Sequence, residues 1–267
     1  MKNLTEKQYR KHKNLNASTL KHFLNDYGRR FEAVEDEPYN GNRFEPLRFG
    51  AAYHMAILEP HQYKKVLKLP EDLNLRTKDG RQQRDNALAS GRLFVYHDEA
   101  LQIKEMADAL DIPGSHTAQL RKNLADLELQ VEQSYIGEID GVPAKARMDI
   151  VNTKTDCIMD LKSCQSAHPV EFCRHAVNLN YDLAAAWYLD LYENVTGVKP
   201  KAFGFIAQEK EKPFLCNFIA FVNDGRFIEK GREKYRQAMG NYFEYKDGYL
   251  GYTGNQLDGD DYLPAWY

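Results

Sequence analysis

LQVEQSYIGEIDGVPAKARMDIVNTKTDCIMDLKS, residues 129–163, reads as three strands joined by two tight turns. LQVEQSYIG alternates apolar and polar residues, the period of a half-buried strand. Asp140-Gly141 follows, a dipeptide suited to a two-residue hairpin turn because both central positions need a positive φ. VPAKARMDIV is the returning strand, residues 152–156 form a second turn, and CIMDLK is a short buried strand. Three consecutive strands with tight turns make a meander.

This meander carries a chemical constellation. Asp160 and Lys162 are two apart on one strand and project to the same face. Asp149 lies near the end of the preceding strand and stands opposite them if the strands are neighbours. Two carboxylates and an ammonium on one small patch suit phosphodiester hydrolysis. Hard oxygen ligands hold Mg²⁺, the ion lowers the pKa of its water, and a lysine beside it positions that water or helps deprotonate it. An isolated Asp-x-Lys is more often an exposed ion pair. Here it sits among Ile158, Met159 and Leu161, immediately before two helical stretches, with an acidic residue one hairpin strand upstream.

Outward from the meander, residues 1–127 read as mostly helical. Asn16-Ala17-Ser18 resembles a helix start, followed by Leu20, Phe23, Leu24 and Tyr27 at helical spacing. Ser18 fits either a helix cap or a phosphate contact. Residues 34–45 and 70–80 read as loops, with a helix at 46–58 between them and two or three helices up to Ala125. Gly50 and His54 are one turn apart, and Gly50 is expected to admit a neighbouring backbone. After the meander come helices at 168–178 and 180–196, strands at 201–208 and 214–222, and an amphipathic helix at 224–245. The expectation is one α/β domain over 1–267: a helical part (1–127), a sheet core with flanking helices (128–247) and an irregular tail (248–267).

Composition is that of an ordinary globular protein: 267 residues, 43% hydrophobic, 28% charged. No apolar run approaches the ~20 residues that span a bilayer, and the polar, basic start lacks a secretory h-region. A cytoplasmic protein without membrane association is expected. The cysteines, Cys157, Cys164, Cys173 and Cys216, form no CxxC pair and lack zinc-ligand spacing. A net charge of −3 does not advertise a nucleic-acid binder. Basic residues nevertheless cluster at Arg10, Lys11 and Lys13, at Arg76, Lys78, Arg81 and Arg84, and at Lys145, Arg147, Lys154 and Lys162. A local basic groove remains compatible with DNA.

Asp149, Asp160 and Lys162, in strand–turn–strand order, resemble the acidic-acidic-lysine set of the PD-(D/E)xK nucleases. RFGAAYHMAILEP resembles the helix that supplies a metal-proximal histidine in RecB-like and RecE-like members, here His54. NASTLKHFLNDYGRRFEA resembles their opening helix, and Glu132 occupies the position of a glutamate on their first sheet strand. LNYDLAAAWYLDLY resembles the helix that follows the motif, with Tyr188 at its tyrosine and Ala184 where a glutamine usually stands. LRTKDG and the LPAWY ending are similar to prophage RecE-type exonucleases.

The resemblance implies a mixed sheet flanked by helices, with a helical amino-terminal part. It also implies Mg²⁺, which Mn²⁺ can replace, held by Asp149, Asp160, Glu132, His54 and the carbonyl of Leu161. Lys162 would act on the attacking water. Ser18, Arg76, Lys78, Arg147, Tyr181 and Tyr188 are the candidate DNA contacts. The implied activity is 5′-to-3′ digestion of one strand from duplex DNA ends, leaving a 3′ overhang for a RecT-like single-strand annealing protein. A toroidal homo-oligomer is implied too. Two alternatives stand beside this: a RecB-like or Cas4-like nuclease of other polarity, and a catalytically weakened DNA-binding protein of the same fold, favoured only by Ala184.

Overall fold

The computed structural model describes residues 4–25, 45–110 and 129–246. Tyr27, the loop expected at 34–45 up to residue 44, the end of the helical part near Ala125, the tail from Gly248 and the LPAWY ending lie outside them.

The amino-terminal part is helical, as expected. Its described elements are α1 (Glu6–Lys11), α2 (Ala17–Asn25), α3 (Glu45–Leu58), α4 (Pro60–Tyr63), α5 (Lys78–Ala89) and α6 (His97–Ala109). The Asn16 side chain accepts the Thr19 amide at 2.9 Å, so Asn16 caps α2 and Ser18 does not. The loop expected to run to residue 80 ends sooner, because Thr77 accepts the Gly80 amide at 3.0 Å and starts α5 at Lys78. Gly80 is needed there: a Cβ would lie 1.9 Å from the Asn74 carbonyl oxygen. Two strands of two residues each, β1 (Leu67–Lys68) and β2 (Phe94–Val95), pair in parallel. They are too short to leave a periodicity in the sequence.

The meander forms as read. β3 (Leu129–Ile139) and β4 (Val142–Asn152) pair antiparallel, leaving Asp140 and Gly141 as a two-residue turn. Their φ values, 51° and 78°, are the left-handed pair that a type I′ turn requires. The Asn152 side chain accepts the amides of Lys154 and Thr155, closing the turn into β5 (Cys157–Cys164). A crossover through α7 (Pro169–Asn178) and α8 (Tyr181–Thr196) then lets β6 (Ala202–Glu209) lie parallel to β5, which no tight turn permits. β7 (Cys216–Val222) returns antiparallel, and α9 (Arg226–Lys246) follows. The result is a five-stranded mixed sheet, order β3-β4-β5-β6-β7. No described helix is long and apolar enough to cross a membrane.

Helices cover both faces. On one, Leu20 and Phe23 of α2, Trp187 of α8 and Tyr235 of α9 join Tyr135, Ala144, Ala146 and Met148. On the other, Phe49, Tyr53 and Ile57 of α3 and Ile103 of α6 join Ile150, Leu161 and Ile206. The alternation along the meander is not uniform. Met148 packs in the first cluster and Ile150, two residues on, in the second, so β4 changes face at Asp149. β3 makes the same change near Glu132, between Val131 in the second layer and Tyr135 in the first. Glu132 itself has φ 50°, a left-handed conformation that costs a non-glycine residue free energy and that clusters at functional sites.

Candidate active site

The site lies where the strands depart from regularity. β4 and β5 pair only from Ile150–Met159 to Asn152–Cys157, so Asp149 and Asp160 are the first residues past the ladder. Asp149 fills the gap: one of its carboxylate oxygens accepts the Leu161 amide at 2.9 Å and lies 3.3 Å from His54 Nδ1. Glu132 comes from β3, where Val131–Ile150 and Gln133–Met148 flank it and Asp149. Donor atoms of His54, Glu132 and Asp149 all lie within 4.8 Å of one another. Asp160 and Lys162 share the other side of the patch and form an ion pair.

Electrostatics single out the same residues. Burial, and then the Asp160 charge, raise the Asp149 carboxyl. Burial, and then Asp149, push Glu132 up to about 8, although Arg147 pulls the other way. Burial works to depress Lys162, but Asp160 and Asp149 outweigh it and hold the ammonium charged. Asp160 is buried, and its Oδ2 is in direct contact with the Lys162 ammonium. Carboxyls raised in this way are groups whose negative charge the fold leaves undercompensated.

Several expected residues are thus brought together: Asp149, Glu132 and His54 in one cluster, Asp160 and Lys162 beside it, and Leu161 through its amide. Tyr181 joins them, with the Lys162 ammonium 5.3 Å from its ring centroid. Tyr188 stands near as well. Burial raises its hydroxyl most, and Asp160, Asp149 and Glu132 are among the charges that raise it further. Tyr192, one turn beyond Tyr188 on α8, packs its ring 5.2 Å from that of Tyr135.

Other expected contacts are placed differently. The Arg147 guanidinium donates to Glu132 at 2.7 Å and to the Leu4 carbonyl at 3.1 Å, so it serves the carboxylate. Lys145, of the same basic set, is buried and donates to the carbonyls of Tyr9 and His12. Arg76 and Lys78 are exposed, and no described contact joins them to the carboxylates. Ser18 is exposed on α2. Gly50 admits no close neighbour among the described residues: a Cβ there would meet nothing within 4 Å. Among the cysteines, Cys164 is buried and the other three are half-buried, all four as free thiols.

One neighbour was missed. The Lys21 ammonium of α2 lies 5.0 Å from the Tyr181 ring centroid, on the far side of the sequence from Lys162. Its position directly after buried Leu20, on the border of the apolar face, was the available signal.

A family model described as a PDDEXK-like domain of unknown function (DUF3799) matches residues 16–250. No curated protein matches the chain. Among solved structures, a Eubacterium rectale protein designated an exonuclease is similar over 94% of this chain and 89% of its own, with a TM-score of 0.63 and 17% identity. A phage related exonuclease from Haemophilus somnus 129PT aligns over 89% of this chain and 96% of its own, at a TM-score of 0.37 and 14% identity. The first likeness is one of fold, and the second is too low to add to it.

Proposed function

The chain belongs to the PDDEXK-like family DUF3799, and from that premise we propose that it is a Mg²⁺-dependent exodeoxyribonuclease acting on the ends of linear duplex DNA. The observation that carries this reading is the convergence of His54, Glu132 and Asp149 donors within 4.8 Å, beside the Asp160–Lys162 pair. The residues fit a divalent ion. Two carboxylates and an imidazole are a hard, mainly oxygen set, and the raised Asp149 and Glu132 carboxyls are those a cation would return to their charged forms. Asp160, buried and paired with Lys162, completes the acidic side, with the Leu161 carbonyl as a further donor. Mg²⁺ or Mn²⁺ bound there would stabilise charge on the scissile phosphate and lower the pKa of a coordinated water.

The chain's own residues supply the rest. Lys162, held charged by Asp160 and Asp149, cannot accept a proton in this arrangement. Of the two roles weighed for it, positioning the water or a phosphate oxygen is therefore the one its surroundings favour. His54 and the Leu161 amide fix the Asp149 carboxylate, and Arg147 fixes Glu132. Tyr181 and Tyr188 border the patch and contact the strand being cleaved.

The designation of the Eubacterium rectale protein as an exonuclease directs the reading to strand ends. The likeness of the motifs to RecE-type exonucleases extends it: 5′-to-3′ digestion leaving a 3′ overhang, a RecT-like annealing partner, a ring of subunits around the duplex, and a cytoplasmic role in recombination. The test is degradation of a linear duplex labelled at its 5′ or 3′ end, beside a covalently closed circle, with Mg²⁺, Mn²⁺ or EDTA. The reading predicts early release of the 5′ label, an intact circle and no cleavage in EDTA. Equal cutting of the circle would overturn the exonuclease assignment, and no cleavage of either DNA would overturn the nuclease.

A further inference from the structure

Tyr181 carries two ammonium groups. Lys162 Nζ lies 5.3 Å and Lys21 Nζ 5.0 Å from its ring centroid. The two lysines arrive from different layers, Lys162 from the sheet and Lys21 from α2, which packs against α8 and α9. Their surroundings differ in one respect. Lys162 is paired with Asp160, and Lys234, the next cation in this neighbourhood, pairs with Asp182 at 2.8 Å. Lys21 makes no ion pair or hydrogen bond among the described residues, although it is half-buried.

An ammonium withdrawn from water without a partner is costly unless an anion arrives. The aromatic face offsets part of that cost. Burial, and then repulsion from Lys162, depress its pKa to about 8 against the pull of Asp160 and Asp182. A structural lysine would be expected to reach a carboxylate or a carbonyl, as Lys145 does with Tyr9 and His12. Lys21 instead lies over the tyrosine that borders the acidic patch, on the side of the sheet that carries Asp160 and Lys162.

We propose that Lys21 is a substrate-binding residue of this site, its ammonium contacting a non-bridging oxygen of the phosphodiester that enters beside Tyr181 and Lys162. The assignment rests on the nuclease reading above and deepens it. Lys21 and Lys162 would hold the phosphate from the helix side, opposite His54, Glu132 and Asp149. The Tyr181 ring would set the spacing between the two cations.

The experiment compares wild type, Lys21→Met and Lys21→Arg. Binding of a labelled linear duplex is measured in EDTA over a range of salt, single-turnover cleavage in Mg²⁺, and melting without DNA. For Lys21→Met, DNA affinity and cleavage should each fall about ten- to a hundredfold, the loss of one hydrogen bond to a charged group. The slope of log affinity against log salt should become shallower by about one. Melting should stay level or rise, since a half-buried ammonium without an ion pair is gone. Lys21→Arg should keep the wild-type salt slope. Wild-type affinity, slope and cleavage in Lys21→Met would overturn the proposal. So would a lowered melting temperature with equal losses in Lys21→Arg, because that pattern belongs to a packing role. If wild type neither binds nor cleaves the duplex, the nuclease reading falls and the Lys21 assignment with it.

Discussion

Glu132→Gln should give a protein that is more stable than wild type without metal and unable to cleave DNA. The Glu132 carboxyl moves from 4.5 to about 8 on folding, and each pH unit of that displacement carries about 1.4 kcal/mol. The sign follows from linkage. An acid whose folded pKa is raised binds more protons folded than unfolded. Its contribution therefore worsens as pH rises above 4.5 and levels off above about 8. The cost of Glu132 is on the order of 2 kcal/mol at pH 6 and 4 kcal/mol at pH 8. Arg147 already offsets part of it, and the glutamine carbonyl can still accept the Arg147 Nε hydrogen bond. At roughly 2–4 °C per kcal/mol, the variant should melt on the order of 10 °C above wild type at pH 8 in EDTA. About half that gap should remain at pH 6. Mg²⁺ at a hundredfold its Kd should raise wild type by about 2.7 kcal/mol and the variant by much less. The assay is thermal melting at pH 5, 6, 7 and 8, with and without Mg²⁺. A variant melting at or below wild type at pH 8, or a gap that does not widen with pH, would refute the reasoning.

His54→Ala should slow cleavage less than Asp149→Ala, with Mn²⁺ restoring more rate than Mg²⁺ because Mg²⁺ demands near-ideal octahedral geometry and tolerates a lost ligand less; equal effects with both metals, alongside a lower melting temperature, would make His54 structural. Ala184→Gln should raise single-turnover cleavage about ten- to a hundredfold if the amide reaches a phosphate or carboxylate, with melting little changed; no gain would remove this helix position from the site. Gly231→Ala should cost at least ~2 kcal/mol and about 5 °C in a thermal melt, because a Cβ would lie 2.1 Å from the Asp182 carbonyl oxygen; an unchanged melt would contradict the close approach of α8 and α9.

The meander was legible because its signals are local. Asp140-Gly141 fixes a two-residue turn, and that turn fixes which residues of β3 and β4 face one another. Spacing two apart put Asp160 and Lys162 on one face. His54 entered through its resemblance to a family helix, since nothing in a helical histidine states what lies across from it. The change of face at Glu132 and Asp149 was not legible, because strict alternation is the assumption by which a strand is read. It sets the site's position, since it lets Asp149 meet His54 from one layer while Lys162 and Tyr181 stand in the other. Charge clusters misled for a related reason. Lys145 and Arg147 look like free cations in sequence, and only the fold shows them committed to the carbonyls of Tyr9 and His12 and to Glu132. Lys21 is the converse, a lysine marked in sequence only by its place beside Leu20, which the packing of α2 carries to Tyr181.

The central claim is that a divalent ion works between His54, Glu132 and Asp149. Its most direct test is the anomalous scattering of Mn²⁺ in crystals of the wild-type protein soaked with that ion. The account predicts a peak about 2.0–2.3 Å from a nitrogen of His54 and from carboxylate oxygens of Glu132 and Asp149. A fully occupied peak elsewhere, with none among these three residues in a protein that cleaves DNA with Mn²⁺, would contradict it.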